Sequence, residues 1–332
     1  MFREGLLSTL YSKKLVLVKV TAGILLFVFL IGTLIHYIEP NEYPHVFDGM
    51  WWAIVTISTV GYGDFVPQSI TGRILGMILI LAGIAIFSFF ITNLAASTVV
   101  LKEQKEKGFG SFKNSGHLIV IGWNERSRML IQDMHKLYPY REIVLVDETL
   151  QKLPQGFEYV RFIKGSPRGD EALNRANLEE AGTAVITASH HIEERTADAN
   201  TILSLISIKS LAPDVYTIAE VITHDQVKNA QRAGADEVVE ASYQISLLLM
   251  NSTLYHGLTD VVTKMLEHEQ KNHLSIHLLS NEYIGKTFGE VIHYENSSTQ
   301  FLLGLRRDHQ THLHPSDNFF LQKEDELIFV RR

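Results

Sequence analysis

The chain has 332 residues, 46% of them hydrophobic, a formal net charge of −7 at pH 7 and no Cys. The lack of Cys makes no demand for an oxidising compartment. The acidic balance offers no net positive field for a nucleic acid, which is not expected as a partner.

Two long apolar runs come first. One extends from about Leu15 to Ile38, with no Asp, Glu, Lys or Arg between Lys19 and Glu39; the other extends from about Ile74 to Val100 with none at all. A membrane span needs roughly 20 apolar residues, and each run is long enough. The first follows a basic stretch (Arg3, Lys13, Lys14, Lys19), as a signal peptide would. Its apolar core is too long for one, and no small-residue cleavage site follows. Lys13, Lys14 and Lys19 precede the first run, Lys102, Lys105 and Lys107 follow the second, and no Lys or Arg lies between Ile38 and Gly72. The positive-inside bias then puts both termini in the cytoplasm and the intervening loop outside. An inner (cell) membrane location is expected. Glu39, Glu42, Asp48 and Asp64 give that loop an acidic mouth that concentrates cations.

Within the loop, Phe47 to Ser58 reads as a short helix with Asp48 in its first turn, where an acid suits the helix dipole. Thr59-Val60-Gly61-Tyr62-Gly63-Asp64 follows. A potassium ion sheds water only where other oxygens replace its hydration shell, and a ring of backbone carbonyls can do so. Aiming carbonyls along one axis takes backbone angles that L-residues resist, which explains Gly61 and Gly63. This segment, flanked by two spans, resembles the selectivity filter of potassium channels of the two-transmembrane type. It is implied by that resemblance that Val60 and Tyr62 turn away from the axis and that Thr59 adds its hydroxyl at the inner end. The resemblance implies that Trp51 and Trp52 buttress the filter, although belt aromatics at the membrane interface have the same composition. It also implies a gating hinge at Gly83 in the second span, where close helix packing is the alternative. Ser88, Thr92 and Asn93 suit an aqueous inner pore or bonds between helices. With one such loop per chain, a fourfold ring needs a homotetramer in the lipid bilayer.

The polar stretch Lys102 to Ser115 reads as a linker with Gly108 and Gly110 as flexible points. Strand patterns follow at Leu118 to Ile121, Ile143 to Val146, Tyr159 to Ile163, Ala184 to Thr187, Val215 to Ala219 and Glu237 to Val239, with helical patterns between them. The alternation implies a parallel, doubly wound sheet that binds ligands at the carboxyl ends of its strands. The strand ending in Gly122, the strand ending in Asp147, the Gly165-Ser166 turn and Ala233-Gly234-Ala235-Asp236 resemble the RCK (TrkA-type) domains that regulate potassium conductance. That resemblance extends through Tyr243 to Tyr255 and Leu258 to His268 as intersubunit crossover helices. It continues into a C-terminal subdomain with Gly285-Lys286-Thr287 and Glu324-Asp325, where the family often has Gly-Asp. The expected fold is therefore an α-helical pore domain with two spans, pore helix and filter (1–101) and a linker (102–115). An α/β Rossmann-like domain (116–241), crossover helices (242–271) and a small α+β subdomain (272–332) follow. RCK domains assemble as rings of eight, so additional soluble copies are possible partners. No Met lies between Met77 and Met129 to start one.

The stimulus is less legible. A dinucleotide fingerprint would read Gly-x-Gly-x-x-Gly, and here the turn is Gly122-Trp123-Asn124-Glu125-Arg126-Ser127. A diphosphate held in the usual way does not fit it. Asp147, 25 residues after Gly122, stands where a ribose partner is expected, with Glu148 beside it. Gly122, Trp123, Asn124, Asp147, Glu148, Gly165 and Ser166 are thus the candidate ligand residues, for an adenine nucleotide or nucleoside; a turn-capping role for Asp147 is the alternative. Glu220 is a weak calcium candidate, since calcium wants about six to eight oxygens and no acid ends the fourth strand. Glu193, Glu194 and Asp198 read as a solvated helix start. Thirteen of the 15 His lie beyond the spans, among them His190, His191, His224, His273, His277, His309, His312 and His314. Titration near neutral pH makes intracellular pH the alternative stimulus. A NAD-binding oxidoreductase with a membrane anchor shares the sheet but lacks a substrate domain, so no catalysis is expected.

Overall fold

The computed structural model describes residues 2–189, 191–267, 273–296, 299–308 and 310–331. The chain divides into two compact units, Met1–Glu106 and Lys107–Arg332.

The first unit is helical: α1 (Phe2–Ile38), α2 (Val46–Ile57) and α3 (Ile70–Glu106). Val28, Ile31, Ile35, Trp52, Ile57 and Leu79 form its buried core. The crossing of α1 and α2 depends on two glycines. A Cβ on Gly32 would lie 2.6 Å from the Met50 nitrogen, and one on Gly49 would collide with the Gly32 carbonyl. The α1 segment Val18–Ile38 and all of α3 are long and apolar enough to cross a membrane. Their outer faces stay bare, with Leu26 at 60% and Leu81 at 76% exposure. In water such faces would drive aggregation; in a bilayer they meet lipid or neighbouring chains. Helix α3 continues through Lys102–Glu106, which the sequence reading placed in the linker. The apolar run ends before this segment, but Lys, Glu and Gln are good helix formers and carry the helix on.

The second unit begins with β1 (Leu118–Ile121), α4 (Glu125–Leu137), β2 (Ile143–Asp147), β3 (Val160–Lys164) and α5 (Asp170–Arg175). Then come β4 (Thr183–Ile186), α6 (Glu194–Leu211), β5 (Tyr216–Val221), α7 (Val227–Arg232) and β6 (Glu237–Glu240). The six strands form one parallel sheet in the order β3-β2-β1-β4-β5-β6. Alternate residues serve opposite faces: Leu118 and Val120 join Ile131 and Phe162 on one side, Ile119 and Ile121 join Leu205 and Ile208 on the other. Burial on both sides explains the unbroken apolar runs of β1 and β2. Chain order reverses between β1 and β4, so their carboxyl ends flank the switch-point crevice.

The Ala233-Gly234-Ala235-Asp236 turn has a physical basis. Gly234 has φ +98°, and Asp236 Oδ2 accepts the Thr217 N–H at 2.6 Å and the Lys209 ammonium at 2.8 Å. Next, α8 (Ala241–Leu254) and α9 (Leu258–Leu266) bury none of their residues within the chain. The last elements are β7 (His273–Leu278), α10 (Phe288–Glu295), β8 (Gln300–Arg307), β9 (Gln310–Leu313) and β10 (Glu326–Arg331). They make an antiparallel sheet, β7-β10-β8-β9, with α10 packed on it through Phe288 and Val291. Glu324 has φ +78°, a conformation suited to Gly. Its neighbour Asp325 is buried and takes both arms of Arg307 at 2.7 Å. Burial pushes the Asp325 carboxyl up, but Arg307 and the Gln322 N–H outweigh it and hold it below the ordinary value.

Candidate filter and candidate ligand site

The candidate filter hangs from the carboxyl end of α2. The His45 N–H donates to Asp48 Oδ2 at 2.9 Å and starts the helix. After Ile57 the chain leaves α2 with φ +63° at Thr59, +59° at Gly61 and +77° at Gly63. Val60 and Tyr62 keep negative φ. Left-handed and ordinary residues therefore alternate, and that alternation turns successive carbonyls to one side. A Cβ on Gly61 or Gly63 would meet nothing within 4 Å. Dihedral angle, and not space, is what requires glycine there.

The two Trp do different work. The Trp51 ring lies parallel to Tyr62, centroids 6.0 Å apart, and its N–H donates to Asp64 Oδ2 at 2.8 Å. Trp51 thus fastens both the middle and the end of the segment. Trp52 turns into the core, edge-on to Tyr43 at 5.7 Å. Gly83 lies in the uninterrupted α3, where a Cβ would sit 2.6 Å from Ile57 Cγ1. This close approach to Ile57 of α2 gives the glycine a packing role. Among the polar groups of α3, Asn93 Nδ2 donates to the Phe89 carbonyl one turn back at 2.8 Å.

Glu39, read from sequence only as part of an acidic mouth, is buried. It accepts the Gln68 and Ser69 N–H groups at 3.0 and 2.8 Å and the Ser69 hydroxyl. Burial acts to raise its pKa. The Ser69 hydroxyl, the two N–H groups and Arg73 outweigh burial and hold the carboxyl below its ordinary value. Glu39 so joins the end of α1 to the entrance of α3.

In the second unit a cavity of about 550 Å³ opens at the carboxyl ends of β1, β2 and β4. Of the candidate ligand residues, Gly122, Trp123, Asn124, Asp147 and Glu148 line it, joined by Arg168, Thr187, His191 and Asn200; Gly165 and Ser166 are not in its wall. Gly165 instead lets α5 approach, since a Cβ there would lie 2.8 Å from the Ala172 Cβ. Ser166 Oγ accepts Arg168 Nε at 3.2 Å. Arg168 donates twice to Glu148, at 2.7 and 2.9 Å, and once to Asn200 Oδ1 at 2.7 Å.

The α4 terminus, which would hold a dinucleotide's diphosphate, spends donors within the chain. Asn124 is the N-cap of α4 in an extended conformation, φ −152°. Its Oδ1 accepts the Ser127 N–H at 3.0 Å, and its own N–H donates to Ser127 Oγ at 2.9 Å. Asn124 Nδ2 reaches across to Thr187 Oγ1 at 2.9 Å. These bonds occupy donors that a helix terminus otherwise offers to phosphate. Gly122, φ +88°, keeps its glycine role, because a Cβ would press on Thr187 at 3.0 Å. Asp147 is buried and caps the following turn: Oδ1 accepts the Thr149 and Leu150 N–H groups at 2.8 and 2.6 Å. Among the described residues Oδ2 accepts only the Trp123 N–H, at 2.8 Å, which leaves this oxygen a lone pair.

Glu220 is buried on the far side of β4. Arg126 Nε lies 2.7 Å from its Oε1, without the direction of a full hydrogen bond. Oε2 accepts the Ala188 N–H at 2.8 Å, and Arg126 Nη2 donates to the Ala188 carbonyl at 2.7 Å. A guanidinium thus occupies the ground on which a calcium ion would have met Glu220. Among the described residues no group of three or more His, Asp or Glu could hold a metal.

Asp198 corrects the sequence reading of a solvated helix start. It is buried and accepts the Ile222 and Thr223 N–H groups at 2.7 and 2.9 Å, fixing the chain beyond β5. A carboxylate four residues into a helix gives no sequence sign that the next strand will end over it. His190 and His309 lie outside the described residues. His224 is exposed, with Nδ1 2.9 Å from Glu240 Oε1. Among the described residues the histidine with a buried ring is one the sequence reading passed over, His117, whose Nε2 meets the Ala176 carbonyl at 2.9 Å. Burial holds its pKa below the ordinary value, against the Ala176 carbonyl and Glu142.

Comparison with known proteins agrees with both halves. Residues 23–99 match the family described as Ion channel, and residues 118–241 the TrkA-N domain. YugO of Bacillus subtilis, named as a potassium channel protein, is 32% identical over 94% of this chain and 95% of its own length. The calcium-gated potassium channel TvoK of Thermoplasma volcanium is 30% identical over 72% of this chain and 70% of its own. The human SLO3 gating ring shares the fold, with a TM-score of 0.52 at 18% identity over 64% of this chain and 44% of that one. A relative matched from end to end at this identity fixes the family: the chain belongs to the potassium channels that join a two-span pore to an RCK domain.

Proposed function

We propose that four copies of this chain form a potassium-selective pore in the cell membrane, with Thr59 to Asp64 as the filter and both termini in the cytoplasm. A small intracellular ligand, bound in the cavity at the ends of β1, β2 and β4, biases the gate. The pore passes ions down their gradient and performs no catalysis. The bare faces of α8 and α9 support assembly through these helices, with soluble RCK copies completing a ring of eight.

The observation that carries the ligand reading is a cavity of about 550 Å³ at the switch point, within the usual range of roughly 300–1,000 Å³ for small-molecule sites. It combines Asp147 Oδ2, which keeps a lone pair, with the cation of Arg168. An adenine nucleotide or nucleoside fits this chemistry: ribose hydroxyl on Asp147, a phosphate taking the place of Glu148 on Arg168, and nothing asked of the α4 terminus. Calcium through Glu220 fits less well, because Arg126 already neutralises that carboxylate. Protons are the second reading, and buried His117 favours it.

Rubidium flux into liposomes carrying the full-length channel separates these. Adenosine, AMP, ADP, NAD and calcium are varied, each from pH 6 to 8.5. An adenine compound should change flux in the parent and lose most of its effect in Asp147→Ala. Flux that follows calcium or pH alone, or that ignores all of them, removes the nucleotide reading.

A further inference from the structure

The cavity at the ends of β1, β2 and β4 has two places for an anion. One is the amino end of α4, where the Asn124 and Ser127 N–H groups are already spent on each other's side chains. The other is Arg168, on the loop between β3 and α5, and a carboxylate of the chain itself stands on it. Arg168 Nη2 donates to both oxygens of Glu148, at 2.7 and 2.9 Å.

The two partners are not equally fixed. Arg168 is held from other directions as well. Its Nη1 donates to Asn200 Oδ1 on α6 at 2.7 Å, its Nε donates to Ser166 Oγ at 3.2 Å, and its carbonyl accepts the Ser207 hydroxyl at 3.0 Å. Among the described residues the Glu148 carboxylate bonds to Arg168 alone, and its side chain is 41% exposed. Water screens such a pair, so it holds weakly. Glu148 can turn to solvent while the guanidinium stays in the cavity wall.

What replaces Glu148 must do better than a carboxylate. An anion of single charge exchanges like for like and gains little. A phosphate monoester carries a charge of about −1.5 to −2 at pH 7 and three strong acceptor oxygens. It touches the guanidinium directly, whereas Glu148, once turned to water, is screened. Asp147, in the same wall, has its own charge spread over four hydrogen bonds, from the Trp123, Thr149 and Leu150 N–H groups and the Thr149 hydroxyl. A dinucleotide asks for a second anion place, and the α4 end has none to give.

We propose that Glu148 is a built-in competitor that selects ligands with one terminal phosphate. A nucleoside monophosphate displaces it from Arg168; a nucleoside, a cyclic phosphodiester or a dinucleotide leaves it in place. The proposal rests on the nucleotide reading of the cavity given above and adds the residue that chooses the phosphate.

Equilibrium dialysis of labelled AMP, adenosine, cyclic AMP and NAD against the full-length channel tests it, in the parent, Glu148→Gln and Arg168→Gln. The parent should bind AMP more tightly than the other three. Gln keeps the size of Glu148 and removes its charge, so the ratio of AMP to adenosine affinity should rise about fivefold, the contribution of one exposed ion pair. In Arg168→Gln, AMP should bind no more tightly than adenosine. The ratio is taken within each variant, so a general loss of binding does not imitate the effect. A ratio that is unchanged or lower in Glu148→Gln overturns the competitor and spares the cavity reading. A parent that binds cyclic AMP or NAD as tightly as AMP does the same. A parent and a Glu148→Gln variant that bind none of the four compounds overturn both.

Discussion

Replacing Arg126 with Gln should destabilise the cytoplasmic unit far more than replacing its partner. Glu220 is buried and its side chain is 8% exposed, against 41% for Arg126. Removing one member of a fully buried ion pair costs about 3–5 kcal/mol, because a charge is stranded away from water. Here water reaches the Arg126 side and screens the pair, so we take about 2 kcal/mol. At roughly 2–4 °C per kcal/mol for a unit of this size, the midpoint of its thermal transition should fall by about 4–8 °C. Glu220→Gln leaves a neutral acceptor for the Ala188 N–H and strands no charge, so it should cost about 1 kcal/mol. The double variant removes the stranded carboxylate and should recover most of the Arg126→Gln loss. Calorimetry or intrinsic fluorescence on the four purified channels reads this cycle. Strict additivity of the two single changes would refute the reasoning and leave the place at Glu220 open to another cation.

Four further outcomes follow from particular contacts. Gly83→Ala drives a methyl into Ile57 and should cost about 1–3 kcal/mol through overpacking; flux should change and Ile57→Ala should restore it, whereas a pure hinge role predicts no rescue. Glu324→Gly relieves a left-handed non-glycine residue and should raise the thermal midpoint by the equivalent of about 1 kcal/mol; a lower midpoint would contradict the stored strain. His117 has a folded pKa below its unfolded value of about 6.5, so its contribution to stability is full above that pH and is lost as pH falls toward the folded value. His117→Gln, which can keep the bond to Ala176, should flatten the decline in thermal midpoint between pH 7.5 and 5.5, and an unchanged slope would exclude His117 as its source. Trp51→Phe keeps the stack on Tyr62 but drops the N–H bonded to Asp64; it should weaken potassium selectivity, and a filter as selective as the parent's would assign that bond no part in holding it.

Much of this molecule is legible from its residues because its parts obey short-range rules. The two apolar runs are long, and α3 has no charge over its apolar portion. Strands β1 and β2 are buried on both faces, so each reads as an apolar run. The filter segment is legible because backbone angles, which no side chain can supply, force glycines into alternate places.

What escaped the sequence reading depends on partners distant in the chain. Asp198 caps a turn 24 residues away, and nothing around it announces that. Arg126 looked like part of a degraded phosphate loop and is instead the counter-charge of Glu220. Gly108 looks flexible in isolation; Lys164 on β3 and Arg175, which both donate to its carbonyl, decide that it is not. Gly32 and Gly49 were passed over because a small residue in an apolar helix reveals a close crossing only when the facing helix is known. Of the candidate ligand residues, those after β1 and β2 fell in the cavity wall and those after β3 did not, while Arg168 and Asn200 reach it from a loop and from α6 with no motif of their own.

The most direct test of the account is the reversal potential of the reconstituted channel with potassium on one side of the bilayer and sodium on the other, in the parent, Gly61→Ala and Gly63→Ala. Because space is free at both glycines and only φ forbids a side chain, each substitution should cost about 1–2 kcal/mol per chain in the filter conformation. The parent should reverse far from zero, in the direction that opposes potassium flow from its own side, and both variants should lose that selectivity or all current. A parent that reverses near zero, or variants as selective as the parent, would contradict the assignment of Thr59 to Asp64 as the potassium filter.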